Sequence, residues 1–262
     1  MKIYRIKAFI FRHWYEVVAT IDRKVDIFFW PTIDLLGFGL LTAYIDKLEV
    51  GVGVAGAILG GIILWSLVYN IQRDISVSLL EEAWSRNLYN LFSSPLLISE
   101  VVIGALLMSF LKSIVTISLL LFIASGLFGF NLLALGWQVA FFLLNVFIFG
   151  WAFGFITSAL IFRFGIRVQV LAWSLIAVIY PISGVIYPLD TLPPFLAFIA
   201  KLLPLSHIFE ALRGIIINGT APESSALLIS LSLNIVFLSS GIALFVAGFN
   251  NAKKRGWLIH PS

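Results

Sequence analysis

The side chains best able to bind metals or form covalent intermediates are scarce in this 262-residue sequence, which has no Cys and only three His (His13, His207, His260). Without Cys there is no disulfide, thiol nucleophile or thiolate metal site. The three histidines are too scattered for a metal centre, and no paired carboxylates stand near one of them as an acid–base site requires. The remaining candidates stand out by position. Asp34 and Lys112 lie inside long apolar runs, each about 14–16 Å from the start of its run at 1.5 Å per helical residue. Charges so placed are costly and face protein, water or each other. An Asp34–Lys112 pair holding two segments together is therefore expected, with contact to a transported molecule as the alternative. Glu100 falls about one turn inside a helix start, where the helix dipole favours a carboxylate. Glu210 and Arg213 are three apart, with His207 one turn earlier. A local ion pair is expected, and lining of an outer mouth is the alternative.

The elements that position these residues follow from composition. Hydrophobic residues make up 61% and charged residues 11%, and the mean hydropathy is +1.06. Soluble domains are about half apolar and about a quarter charged, so lipid must be the solvent. The fold class is an all-α integral membrane protein, with room for about six spans of roughly 20 residues. The net charge of +4 does not point to nucleic acid, because Lys and Arg sit at the chain ends and between apolar runs. The basic start lacks the short apolar core of a cleavable signal peptide.

Residues 1–24 read as an amphipathic helix lying in the membrane interface. Ile3, Ile6, Ile10, Trp14, Val17, Val18 and Ile21 are apolar, and Lys2, Arg5, Lys7, Arg12 and Arg23 fall mostly between them. Spans one and two occupy 25–44 and 50–70. Gly53, Ala57 and Gly61 recur every fourth residue in span two, a spacing that permits close helix packing. Residues 71–94 carry a three-and-four apolar repeat and charges, and read as a separate cytoplasmic helix. Ser78 and Glu81 fit a capping box that starts a helix near Leu79, and Ser94-Pro95 fits the start of the next. Glu81, Glu82, Trp84, Arg86 and Asn87 lie on this element. Residues 95–187 hold spans three (97–121), four (137–161) and five (168–187). The stretch 113–162 is free of charge, and 126–136 supplies a turn within it. Arg163 and Arg167 flank a short connection. Pro181, Pro188, Pro193, Pro194 and Pro204 mark a proline-rich region, and 188–218 is expected to form short external helices, 190–201 and 205–217, re-entrant or interfacial. Span six covers 225–249, and 250–262 is a basic tail.

The distribution of positive charge sets the orientation. Thirteen Lys and Arg fall on the side of the N-terminus: Lys2, Arg5, Lys7, Arg12, Arg23, Lys24, Arg73, Arg86, Arg163, Arg167, Lys253, Lys254 and Arg255. Three, Lys47, Lys201 and Arg213, fall on the other. By the positive-inside rule both termini are expected in the cytoplasm, in a multi-pass protein of the inner (plasma) membrane.

Three local patterns in this frame resemble one family. They are Phe29-Trp30-Pro31 with Asp34, then Ser85-Arg86-Asn87-Leu88 through Ser93-Ser94-Pro95-Leu96 with Glu100, and YPISGVIYPLDTLPPFLAFIAKLLPLSHIFEALRG over 180–214. Together with six spans, an interfacial helix, a long first cytoplasmic helix and an outward helical hairpin, the chain resembles the permeases of ABC type-2 exporters over nearly its whole length. The resemblance implies a transmembrane subunit working as a homo- or heterodimer, each copy bound to a separate ABC ATPase subunit. It implies that the helix at 79–92, with Glu81, Glu82, Trp84, Arg86 and Asn87, docks on the ATPase, and that the Arg163–Arg167 turn receives part of the push. No G-x-x-x-x-G-K-[ST] loop is present, so ATP and Mg are expected on the partner, with no cofactor on this chain and no catalysis by it. The implied cargo is a drug, a lipid or a lipid-linked polysaccharide. An ion-gradient-driven secondary transporter is the competing class, but such folds show two related halves and midplane breaks that are not visible here. A non-transport scaffold would not need a long patterned helix and a cationic turn on one side.

Overall fold

Long apolar runs uninterrupted by proline form the body of the fold. The computed structural model describes residues 3–48, 53–84 and 97–254, and among them every regular element is helical. The helices are α1 (Ile3–Ala19), α2 (Ile21–Lys47), α3 (Val54–Trp84), α4 (Ile98–Phe128), α5 (Trp137–Phe164), α6 (Leu171–Ile179), α7 (Pro194–Lys201), α8 (Pro204–Asn218) and α9 (Ser224–Lys254). Five of these (α2, α3, α4, α5 and α9) are long and apolar enough to cross a bilayer. The pair α7 and α8, bent by 97°, makes a sixth if it is counted as one broken span. The first residues of α1 and the last of α9 lie at one end of the bundle, here the basal end.

α5 is the central post, packed between α3 and α9. Its glycines set the spacing. A Cβ at Gly150 would stand 2.6 Å from Ile71, and one at Gly154 would stand 2.7 Å from Ile75, so α3 lies directly on the α5 backbone. On the other side, Gly241 of α9 approaches the Ala152 carbonyl so closely that a Cβ would sit 2.6 Å from it. Lipid gives no hydrophobic drive for helices to associate, so close van der Waals contact through small residues must supply it. A buried polar knot adds to the α5–α9 contact. The Asn234 amide donates to Asn145 Oδ1 at 2.8 Å, and the Ser230 hydroxyl lies 2.9 Å from the same oxygen and 3.0 Å from the Pro204 carbonyl.

Three expectations need correction. Residues 71–84 are not a separate helix. α3 runs unbroken through them, and Ile71, Gln72, Ile75, Ser76 and Leu80 are buried in the bundle. Ser78 does not cap a new start, because its hydroxyl donates to the Ile75 carbonyl at 3.1 Å and is satisfied inside the helix. The proposed docking residues Arg86 and Asn87, and the Ser94-Pro95 start, lie outside the described residues. α4 begins at Ile98 with Leu97 as its cap.

Span five is the second correction. Only Leu171–Ile179 is α-helical, because Pro181 cannot donate to the ladder and Gly184 turns the chain at φ +71°. The chain still climbs along α3. Gln72 donates to the Ala172 carbonyl at 3.3 Å, and further up the Val185 carbonyl lies where a Cβ on Gly61 would be, 2.6 Å away. The third correction, to the partner of Lys112, belongs to the charged layer described below.

α1 packs on α4 through Ile6, Phe9, His13 and Val17. Phe9 fills the space a side chain at Gly104 would need, 2.5 Å from its Cβ position. Ile3, Trp14 and Val18, also assigned to the apolar face, remain exposed.

Candidate functional site

Pro31 organises the first layer of the site. It has no N–H and its ring crowds the carbonyl one turn earlier, that of Ile27. α2 responds with one wide turn over Val25–Phe29, in which the Trp30 N–H reaches back to the Val25 carbonyl. The carbonyls released there are taken up by side chains of other helices. Thr116 of α4 donates to Ile27 O at 3.4 Å, and Arg73 of α3 donates to Asp26 O at 3.3 Å.

A layer of ion pairs surrounds this turn. Arg73 Nη1 lies 3.1 Å from Asp26 Oδ1, and Arg73 Nη2 also donates to Asn70 Oδ1 at 3.2 Å. Lys112 Nζ lies 3.1 Å from Asp74 Oδ1, and both side chains are largely buried. This corrects the expected Asp34–Lys112 pair. The sequence pattern puts 71–94 on a separate cytoplasmic helix, whereas the unbroken α3 carries Asp74 to Lys112. Twenty residues separate Val54 from Asp74, about 30 Å of helix, which is one hydrocarbon thickness. The pairs sit on the basal side of α3, with Lys112 about midway along the apolar stretch Ser99–Phe128 of α4. Glu100, fully buried, accepts from the Leu97 N–H at 3.1 Å and lies 3.5 Å from Arg5, which ties α1 to the start of α4.

Above the charged layer, α2, α3 and the end of α6 line an open-mouthed cavity of about 260 Å³. Trp30, Asp34 and Phe38 recur every fourth residue on one wall, Trp65, Ser66 and Tyr69 form the second, and Tyr180 closes the third. The Trp65 and Tyr180 rings stack at a tilt, 4.9 Å between centroids. The Tyr180 hydroxyl is buried and has no hydrogen-bond partner among the described residues. Asp34 is exposed at the cavity mouth and makes no ion pair or hydrogen bond among the described residues.

The remaining sequence candidates lie apart from this cavity. Glu210 and Arg213 pair at 2.7 Å, and they do more than a local pair. Glu210 also accepts from the Leu189 N–H at 2.9 Å, and Arg213 donates to the Gly184 carbonyl at 2.8 Å. α8 is thereby clamped to the loop that follows α6. His207 Nε2 lies 3.0 Å from the Lys201 carbonyl, bridging the α7–α8 bend. Glu81, Glu82 and Trp84 fall in the last turn of α3. Arg163 and Arg167 are exposed at the basal end of α5, with the Arg163 guanidinium 5.5 Å over the Phe164 ring.

Two positioning residues, Asn145 and Gln72, are buried amides. Asn145 is an isolated amide in the charge-free stretch 113–162, and such a residue in lipid must find an internal partner. Gln72 is another, fully buried, with Nε2 3.0 Å from Ser76 Oγ, 3.2 Å from Thr157 Oγ1 and 3.3 Å from the Ala172 carbonyl, so one amide joins α3, α5 and α6.

Comparison with known families agrees with this architecture. The family model described as ABC-2 type transporter matches residues 9–217, from α1 through α8. No curated protein matches the chain. The matched region includes the Trp30-Pro31 turn, the cavity, the Arg73–Asp26 and Lys112–Asp74 pairs and the clamped hairpin. This multi-pass membrane protein therefore belongs to the ABC-2 type transporter family, the permease subunits of ABC transporters.

Proposed function

We propose that the chain is the permease half of an exporter, moving an amphipathic or apolar molecule outward on the energy of ATP hydrolysed by a separate subunit. The observation that carries this reading is the continuity of α3. One helix of 31 residues runs from the cavity wall at Ile62, Trp65 and Tyr69 to its basal end at Trp84. A displacement at the base is carried to the cavity as rigid-body motion, because Gln72 and the Gly150–Gly154 contact lock α3 to α5 and α6.

In this reading the termini and the 79–92 segment face the cytoplasm, and an ABC ATPase carrying ATP and Mg docks on Glu81, Glu82, Trp84, Arg86 and Asn87. The Arg163–Arg167 turn takes up the second contact, and a second copy of the permease completes the pathway. The clamped α7–α8 bend faces outward. Coexpression with a candidate ATPase subunit and purification in nanodiscs tests this. A complex should be recovered with ATPase activity, and Arg86→Glu with Asn87→Pro should abolish its assembly while the chain keeps its thermal transition. Gradient-driven transport by the chain alone, with no ATPase captured, would overturn the proposal.

A further inference from the structure

The cavity between α2, α3 and α6 holds a charge that the fold does not use. The cations beside it are committed elsewhere. Arg73 lies 3.1 Å from Asp26, and its guanidinium sits 5.5 Å from the Tyr69 ring, on the basal side of the cavity. Lys112 is held by Asp74. Asp34 is left without an ion pair among the described residues, opposite Ile62, Trp65 and Ser66 of α3. Those residues are about 12–18 Å along α3 from Val54, the middle of an apolar zone about 30 Å thick. A carboxylate at that depth calls for a positive partner or water.

We propose that the cavity binds the ammonium group of a small hydrophobic organic cation. Asp34 serves as counter-ion, and Trp30, Trp65 and Tyr180 form the ring wall around it. Aromatic faces attract an alkylammonium through their quadrupoles, and the attraction grows as water is excluded. Tyr180 contributes its ring to the lining, while its hydroxyl is buried behind that ring. The volume of about 260 Å³ admits an ammonium with a compact apolar body. Apart from Asp34 the lining is uncharged, so a phosphate or carboxylate would meet repulsion with no compensating donor charge. This deepens the exporter reading by naming a cargo class, but binding itself does not depend on that reading.

The test uses the full chain in neutral maltoside detergent and its intrinsic tryptophan fluorescence, to which Trp30 and Trp65 contribute among eight tryptophans. Titration with 1-adamantylmethylammonium should quench saturably, and the uncharged isostere 1-adamantylmethanol should bind about tenfold or more weakly, the factor expected for about 1.4 kcal/mol of charge recognition. Asp34→Asn should weaken the ammonium by about the same factor and leave the alcohol unchanged, while Asp34→Glu keeps the preference. The wild-type comparison of amine and alcohol needs no variant, so misfolding of Asp34→Asn cannot rescue the idea. Equal affinity for the two probes overturns it, as does ammonium binding unaffected by a folded Asp34→Asn. In a complex with the ATPase, failure of both probes to bind beside normal ATP hydrolysis removes this inference and leaves the exporter reading. Binding by a chain that captures no ATPase does the reverse.

Discussion

Lys112→Met should be among the most damaging single changes in the charged layer. Lys112 is 8% exposed and its Nζ lies 3.1 Å from Asp74 Oδ1, whose side chain is 14% exposed. Removing the ammonium strands a carboxylate among α2, α3 and α4, and breaking a buried pair in this way costs about 3–5 kcal/mol. Asp74→Leu strands the cation and should cost a similar amount. The double variant removes both charges and replaces them with apolar bulk. It should return to within about 1–2 kcal/mol of the parent, since a buried pair is worth little more than its hydrophobic replacement. The readout is the apparent unfolding temperature in maltoside. At about 2–4 °C per kcal/mol, each single variant should lose about 6–20 °C. Arg12→Gln is the internal control, because the Arg12–Glu16 pair at 3.3 Å is exposed on both sides and should contribute less than about 1 kcal/mol. If Lys112→Met costs no more than Arg12→Gln, the pair is not buried as described. If the double variant loses the sum of the two singles, the residues are not coupled. A parallel cycle between Lys112 and Asp34 should show no coupling.

Two further outcomes test the packing and the first helix. Gly150→Ala should destabilise by about 1–3 kcal/mol through overpacking, because its Cβ meets Ile71 Cγ2 at 2.6 Å and Ile71 Cβ at 2.8 Å and a β-branched side chain has little room to swing. Gly126→Ala, with nothing within 4 Å, should be neutral or stabilising by up to about 1 kcal/mol, and thermal unfolding of the two variants side by side decides the point. In α1 the His13 side chain hydrogen-bonds Glu16 at 3.1 Å and holds the Glu16 carboxyl below its ordinary value of 4.5, with burial opposing and Arg12 and Arg23 assisting. A depressed carboxylate stabilises fully above its unfolded pKa and loses that contribution as pH falls through the folded value. The stability difference between the parent and Glu16→Gln should therefore be present at pH 7 and shrink on acidification below about 4.5, and a gap that widened toward acid would refute the sign.

The helices themselves were legible because lipid enforces a simple rule: every backbone polar group must be satisfied within its own element. The charge-free stretch 113–162 had to turn near its glycines, and the structure places Gly129 at φ +63° and Gly136 at φ +67° there. Where the reading failed, one cause recurs. Charged residues at 71–82 read as a sign of water, which ends the apolar helix at Asn70. A buried ion pair satisfies the same residues without water, and one chain cannot announce that Asp74 will meet Lys112, 38 positions away. The break in span five is hidden from hydropathy for the opposite reason. Residues 168–187 are apolar enough to span, but hydropathy does not register that Pro181 removes a donor.

Both errors bear on the cavity. An α3 that continued only to Asn70 would have left Lys112 without a partner and made Asp34 its natural mate. With Asp74 and Asp26 carried inward on their helices, Lys112 and Arg73 are each matched locally. The short α6 brings Tyr180 over Trp65 where a continuous helix would have directed the chain onward. The wide turn before Pro31 sets the register that places Trp30, Asp34 and Phe38 on the cavity wall. The Trp30-Pro31 pattern thus has a physical consequence: by loosening one turn of α2 it engages the basal ion pairs below and turns an unmatched carboxylate into an aromatic chamber above.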